Sequence, residues 1–109
     1  MPNYTLIKKS DSIFRQISET KSANNYITKD ISPNFSLATT RAVDCKEIET
    51  TNYDRIYFVL EEILELDFGN RLITLNPQDS IYIKSGTDYI ISGTFNTIVI
   101  NQPAFGTLA

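Results

Sequence analysis

"LITLNPQDSIYIKSGTDYIISG", residues 72–93, alternates β-branched and aromatic runs with turn chemistry. Ile81 and Ile83 alternate with Ser80 and Tyr82, the period-two pattern of a half-buried strand. Lys84 to Thr87 supply a turn, and Tyr89 to Ser92 resume the strand pattern, so residues 80–93 read as a hairpin. Before it, Asn76-Pro77-Gln78-Asp79 puts proline at the favoured second position of a turn. Gln78 in that setting favours type I, which needs no positive φ.

The flanks continue the series. Arg55 to Leu60 alternates, and Ile63 to Phe68 places Leu64, Leu66 and Phe68 on one face. Gly69-Asn70 fits a two-residue hairpin with glycine first, followed by a strand over Arg71 to Leu75. Ser92-Gly93-Thr94 reads as a further turn and Phe95 to Asn101 as a long strand, which Pro103 ends because proline cannot donate to a ladder. In the first half the candidate strands are Tyr4 to Ile7, Ile13 to Ile17, Tyr26 to Lys29 and Phe35 to Val43. One rival is open: "DRIYFVLEEILELDF", residues 54–68, also aligns Ile56, Leu60, Ile63 and Leu64 as a helix would. The β-branched and aromatic start and the Gly-Asn turn after Phe68 favour strands. Closely spaced antiparallel strands with almost no helix predict an all-β barrel or sandwich.

The 109 residues make one domain, and 41% hydrophobic content is enough to bury a core without disulfides. Net charge is −3 and the only basic pair is Lys8-Lys9, so a phosphate-backbone surface is not expected. The longest apolar run, Ile56 to Leu60, is far short of a membrane span, and "MPNYTLIKKSDS" has no signal-peptide core. The expectation is a cytoplasmic protein with no nucleic-acid or membrane partner. The single cysteine, Cys45, reads as a small packing residue. Histidine is absent, which excludes Ser-His-Asp and Cys-His catalysis and leaves poor donors for zinc, iron or copper. No metal and no other cofactor is expected.

"IYFVLEE", "FGN" and "LITLNPQDSIYIKSGTDY" together resemble a small single-domain cupin, an antiparallel jelly-roll β-barrel. The likeness covers roughly residues 42–100 and rests on order and spacing more than on identity. It implies one barrel domain over 1–109, with the strands of 1–30 used in a homodimer. The family's metal ligands are two histidines, a glutamate and a further histidine. The resemblance lays the first two on Ile48 and Thr50, or on Glu49 and Thr51, the glutamate on Arg55 and the last histidine on Tyr89. Its glycines fall on Glu62 and Gln78, its proline on Lys84 and its closing asparagine on Gly93, and only Gly86 is retained. Glu62 implies a differently shaped loop after Leu60, whereas Gly86 marks a position needing positive φ.

Ligand positions in this family point into the barrel. If Arg55 does so, alternation turns Tyr57 and Val59 inward with it, and Tyr89 and Ile91 on a neighbouring strand. The opposite parity would bury Ile56, Phe58 and Leu60 and leave Arg55 in solvent. The inward parity makes Arg55, Tyr57, Tyr89, Glu49 and Thr50 the candidate ligand-binding residues of one cavity. A small organic anion or sugar-like molecule suits a guanidinium, two phenols and aliphatic walls. A second reading is a metal-independent isomerase, epimerase or lyase on a sugar or keto acid, with Tyr57 or Tyr89 as acid and Glu49 as base. Glu47, Glu49, Glu61, Glu62, Glu65 and Asp67 read chiefly as a solvated acidic face.

Overall fold

A computed structural model describes residues 3–108. After a 3-10 turn at Lys9–Asp11 come seven strands: β1 (Ile13–Gln16), β2 (Lys21–Ile27), β3 (Ser36–Thr50), β4 (Asp54–Asp67), β5 (Leu72–Leu75), β6 (Ser80–Ile83) and β7 (Asp88–Gln102). All pairings are antiparallel, in the order β1-β2-β3-β7-β4, with β5 and β6 sharing the far edge of β4. The hydrogen-bonded sheet curls into a jelly-roll barrel without closing, because β1 at one end and β5 and β6 at the other remain unpaired to each other.

The helical reading of residues 54–68 is excluded: this stretch is one strand, not two, and β7 likewise runs through residues 92–94 without a turn. Local irregularities replace the expected breaks. β3 bulges between Ala42 and Cys45 and β4 between Val59 and Glu61, both opposite residues 93–97 of β7. A bulge adds a residue on one strand and sharpens twist, which bends long strands around a core. Asp44, inside the first bulge, and Glu62, just beyond the second, take positive φ, at 49° and 63°, and the chain after Leu60 stays in the sheet. Gly93 lies between the two bulges, opposite both Cys45 and Leu64, with φ 120°. A Cβ there would stand 2.6 Å from the Ile63 carbonyl oxygen, so only glycine lets β4 approach.

Residues 80–93 are strand, turn and strand as expected, but not a hairpin. β6 pairs with the start of β4, whereas β7 pairs with β4 along its other edge and with β3. Lys84–Thr87 therefore crosses over β4 instead of closing a two-strand ladder. Gly86 has φ 83° and donates to the Thr51 carbonyl at 2.6 Å. The Gly69-Asn70 hairpin is present, closed by Phe68 N–H on the Arg71 carbonyl at 3.0 Å. At the Pro77 turn Gln78 takes φ 72°, which rules out the expected type I geometry. The turn is closed by Asp79 N–H on Asn76 O, and Asp79 Oδ2 accepts from Asn76 N–H at 2.8 Å.

Tyr4 to Ile7 form no strand: β1 ends the sheet, and Tyr4 and Leu6 are exposed with nothing to pair against. β2 starts at Lys21, earlier than Tyr26, and ends at Ile27. Pairing with β3 holds the polar run "KSANN" extended despite its weak strand preference. β3 continues past Val43 to Thr50. On β4 the buried residues are Arg55, Tyr57, Val59, Leu64 and Leu66, while Ile56 and Leu60 face outward at 39% exposure. Phe95, Ile91, Cys45, Leu75 and Ile83 join them in one core.

Candidate functional site

Part of the barrel interior is not filled by that core. A cavity of about 320 Å³ opens between β2, β3, β4 and β7, with Arg55, Tyr57, Asn101, Glu49 and Lys21 among its polar lining. Ala23, Ala38, Ile91 and Val99 supply its apolar walls.

Strand register explains how the polar groups meet. Arg55 on β4 lies directly across from Asn101 on β7, and its Nε donates to Asn101 Oδ1 at 2.7 Å. Glu49 on β3 lies across from Tyr89 on β7. Arg55 Nη1 donates to Tyr89 OH at 3.1 Å and reaches Tyr57 OH at 3.5 Å, and the two phenols share a hydrogen bond at 2.8 Å. Glu49 Oε2 lies 3.6 Å from Arg55 Nη1, while its Oε1 accepts from Lys21 Nζ at 2.9 Å. Lys21 also pairs with Glu47 at 3.2 Å, and Ser18 Oγ donates to Glu47 Oε2 at 2.9 Å. Two cations and two carboxylates thus form one chain whose charges balance.

Burial of these groups demands that balance, because an unpaired interior charge costs several kcal/mol. Desolvation alone would push the Lys21 ammonium down, but the hydrogen bond and charge of Glu49, aided by Glu47, hold it above its ordinary value. Desolvation would raise the Glu47 carboxyl; the Ser18 hydroxyl and Lys21 overcome this and hold it low. Arg55 is likewise kept charged despite burial, its guanidinium resting against the oxygens of Tyr57 and Tyr89. The Tyr57 phenol is pushed well above its usual range, first by desolvation and then by Tyr89, so it is neutral at physiological pH. Neutral Tyr57 is a hydrogen-bond donor and acceptor, not a base.

Of the five residues expected to share one cavity, three line it: Arg55, Tyr57 and Glu49. Tyr89 is buried and reaches Arg55 through its hydroxyl, but its ring packs at a tilt against Phe68, 5.7 Å between centroids, and borders a separate hollow with Ile48 and Ile90. Thr50 is corrected outright. It shares the outer face of β3 with Ile48 and is exposed, because alternation that turns Glu49 inward must turn Thr50 out. Sequence reasoning missed Lys21 and Asn101. Asn101 was findable from parity, since it lies two steps beyond Val99 on the inner face of β7. Lys21 carried no such signal, because β2 was placed too late. Glu47 and Glu49 belong to this chain of charges and not to a merely solvated acidic face, whereas Glu61 and Glu62 are exposed.

The cupin resemblance implies a transition metal at these positions, and the residues do not fit one. Ile48 is 81% exposed, Thr50 points outward, and Thr51 Oγ1 is bonded to the Tyr53 backbone. Arg55 brings a guanidinium, which has no lone pair to coordinate with. Among the described residues no three His, Cys, Asp or Glu side chains come together. Glu49, Arg55 and Tyr89 nevertheless converge, so three of the positions that the resemblance assigns to ligands meet around a guanidinium.

No family model and no curated protein matches this chain. Solved structures do. KdgF from Halomonas sp. superposes with a TM-score of 0.81 at 10% identity, over 96% of this chain and 100% of that one. An RmlC-like cupin from Shewanella frigidimarina gives 0.76 at 10% identity, over 100% and 97%. The EutQ protein of Clostridium difficile gives 0.71 at 19% identity, over 93% and 82%. The fold is therefore that of the cupins, and this chain is similar to these proteins in fold alone.

Proposed function

We propose that the barrel is a metal-free binding module for a small organic anion or sugar-like molecule, held against Arg55. The observation that carries this reading is the state of the guanidinium. Its Nε and Nη1 are fixed by Asn101, Tyr57 and Tyr89, while Nη2 donates to no protein group among the described residues, on a side chain that lines the cavity. A planar fork immobilised on one side offers its remaining donors at little entropic cost. The neighbouring Asn101 and Tyr57 add polar contacts, and Ala23, Ala38, Ile91 and Val99 supply apolar walls beside them.

Binding is favoured over acid–base turnover by the partners of Glu49. A base would have to reach a phenol or a substrate proton, whereas Glu49 is engaged by Lys21 and Arg55 and makes no hydrogen bond to Tyr57 or Tyr89. Arg55→Leu tests the proposal. Native mass spectrometry of the purified protein should show a released small molecule with the parent and none with the variant. Equal retention by both would remove Arg55 from binding.

A further inference from the structure

We propose that the ligand is amphiphilic in charge: a hydroxylated body directed at Arg55 and one anionic head, phosphate or carboxylate, held at the cavity mouth by Arg15 and Lys29. This rests on the cavity being the binding site and assigns the ligand's class and direction within it.

The charge distribution along the cavity carries the inference. Its inner end holds Lys21 and Arg55, but Glu47 and Glu49 lie within ion-pair distance of them and cancel their charge. An anion there would compete with two resident carboxylates, whereas neutral hydroxyls would exchange hydrogen bonds with Arg55 Nη2, Asn101 and Tyr57 at no charge cost. The outer end differs. Arg15 and Lys29 line the cavity, are exposed, and have no carboxylate within 4.0 Å among the described residues. Asp30 also lines it, leaving the mouth with an excess of one positive charge.

These two cations are positioned, not merely present. The Arg15 guanidinium lies over the Phe105 ring at 4.8 Å, and Lys29 Nζ donates to the Gly106 carbonyl at 3.5 Å. The turn that supports both is itself pinned: Phe105 N–H donates to Ser36 Oγ at 2.9 Å and Gly106 N–H to Tyr53 OH at 2.8 Å. The Tyr53 and Phe105 rings pack at 5.6 Å. A guanidinium stacked on an aromatic face keeps its edge donors free for an oxyanion. The volume, roughly that of ten waters, suits a short polyol with one charged group.

Isothermal titration with glycerol phosphate, ribose phosphate and glycerate, set against glycerol, ribose and inorganic phosphate, tests this. The charged polyols should bind and the separate halves should bind far more weakly; phosphate against carboxylate preference follows from the first three. The double variant R15Q/K29Q, both sites being exposed, should keep its circular dichroism. It should lose about tenfold or more in affinity, the worth of one charge-assisted hydrogen bond, and most of its salt dependence. Unchanged affinity in that variant, with binding lost in Arg55→Leu, would overturn the assignment of the mouth and leave the barrel reading intact. Failure of every probe to bind the parent at millimolar concentration would overturn both.

Discussion

Arg55 and Asn101 face each other across β4 and β7, and the Arg55 Nε–H bonds the Asn101 amide oxygen at 2.7 Å. Asn101 is 6% exposed, and its removal takes the only protein acceptor found for Arg55 Nε–H among the described residues. Asn101→Leu should therefore cost about 1–3 kcal/mol, the usual penalty for stranding a buried donor. Urea unfolding of parent and variant checks this, with an unchanged m-value expected.

Arg55→Leu should be milder than burial of an ion pair suggests. Glu49 keeps Lys21 at 2.9 Å after the guanidinium is gone, so no carboxylate is left alone. Lys21→Met should be the more damaging change, because both Glu47 and Glu49 then lose their nearest cation. These carboxylates are about a quarter exposed, which limits the loss to about 1–3 kcal/mol. Thermal melting of the two variants side by side should rank them in that order.

Gly93→Ala should be worse than either. The new Cβ would meet the Ile63 carbonyl at 2.6 Å on a backbone with φ 120°, and neither strand can move without disturbing a bulge. A loss of more than about 2 kcal/mol in urea unfolding is expected.

Stability should form a plateau bounded on both sides. Glu47 is held below its ordinary 4.5, so the unfolded chain binds its proton first as pH falls. Its contribution is full above about pH 4.5 and is lost as pH drops through the lower folded value. Lys21 is held above 10.5 and Tyr57 above 10.0, so the unfolded chain releases those protons first in alkali. Their contributions are full below about pH 10 and are lost above it. Urea midpoints across pH should be flat between, and Glu47→Gln should flatten the acid limb.

The barrel was legible in residues 54–102 because Tyr57 and Val59, Leu64 and Leu66, and Tyr89, Ile91, Phe95 and Val99 fall at period two or its multiples on the buried face within each regular stretch. What the pattern could not show was which strands meet. β6 and β7 are separated by a turn of hairpin length, yet they pair along opposite edges of β4. Breaks were also read where the chain only bends: the stretch after Leu60 and residues 92–94 look like turns, yet both lie beside bulges inside long strands. The site was half legible. Parity on β4 and β7 brought Arg55, Tyr57 and Tyr89 to one level, since alternation is a local rule. Lys21 comes from a strand whose polar sequence gives no sign of pairing, and its approach to Glu49 is purely tertiary. Tyr89 supports the guanidinium from outside the cavity, a distinction of ring orientation that no spacing encodes.

A crystal structure of the protein purified directly from cells, at a resolution that separates water from ligand, addresses the binding reading most directly. The predicted result is non-protein density in the barrel within hydrogen-bond distance of Arg55 Nη2, with Asn101 and Tyr57 among its other contacts. A cavity holding only water, with Arg55 Nη2 bonded to a protein carboxylate, would contradict it and leave Arg55 as an internal ion pair.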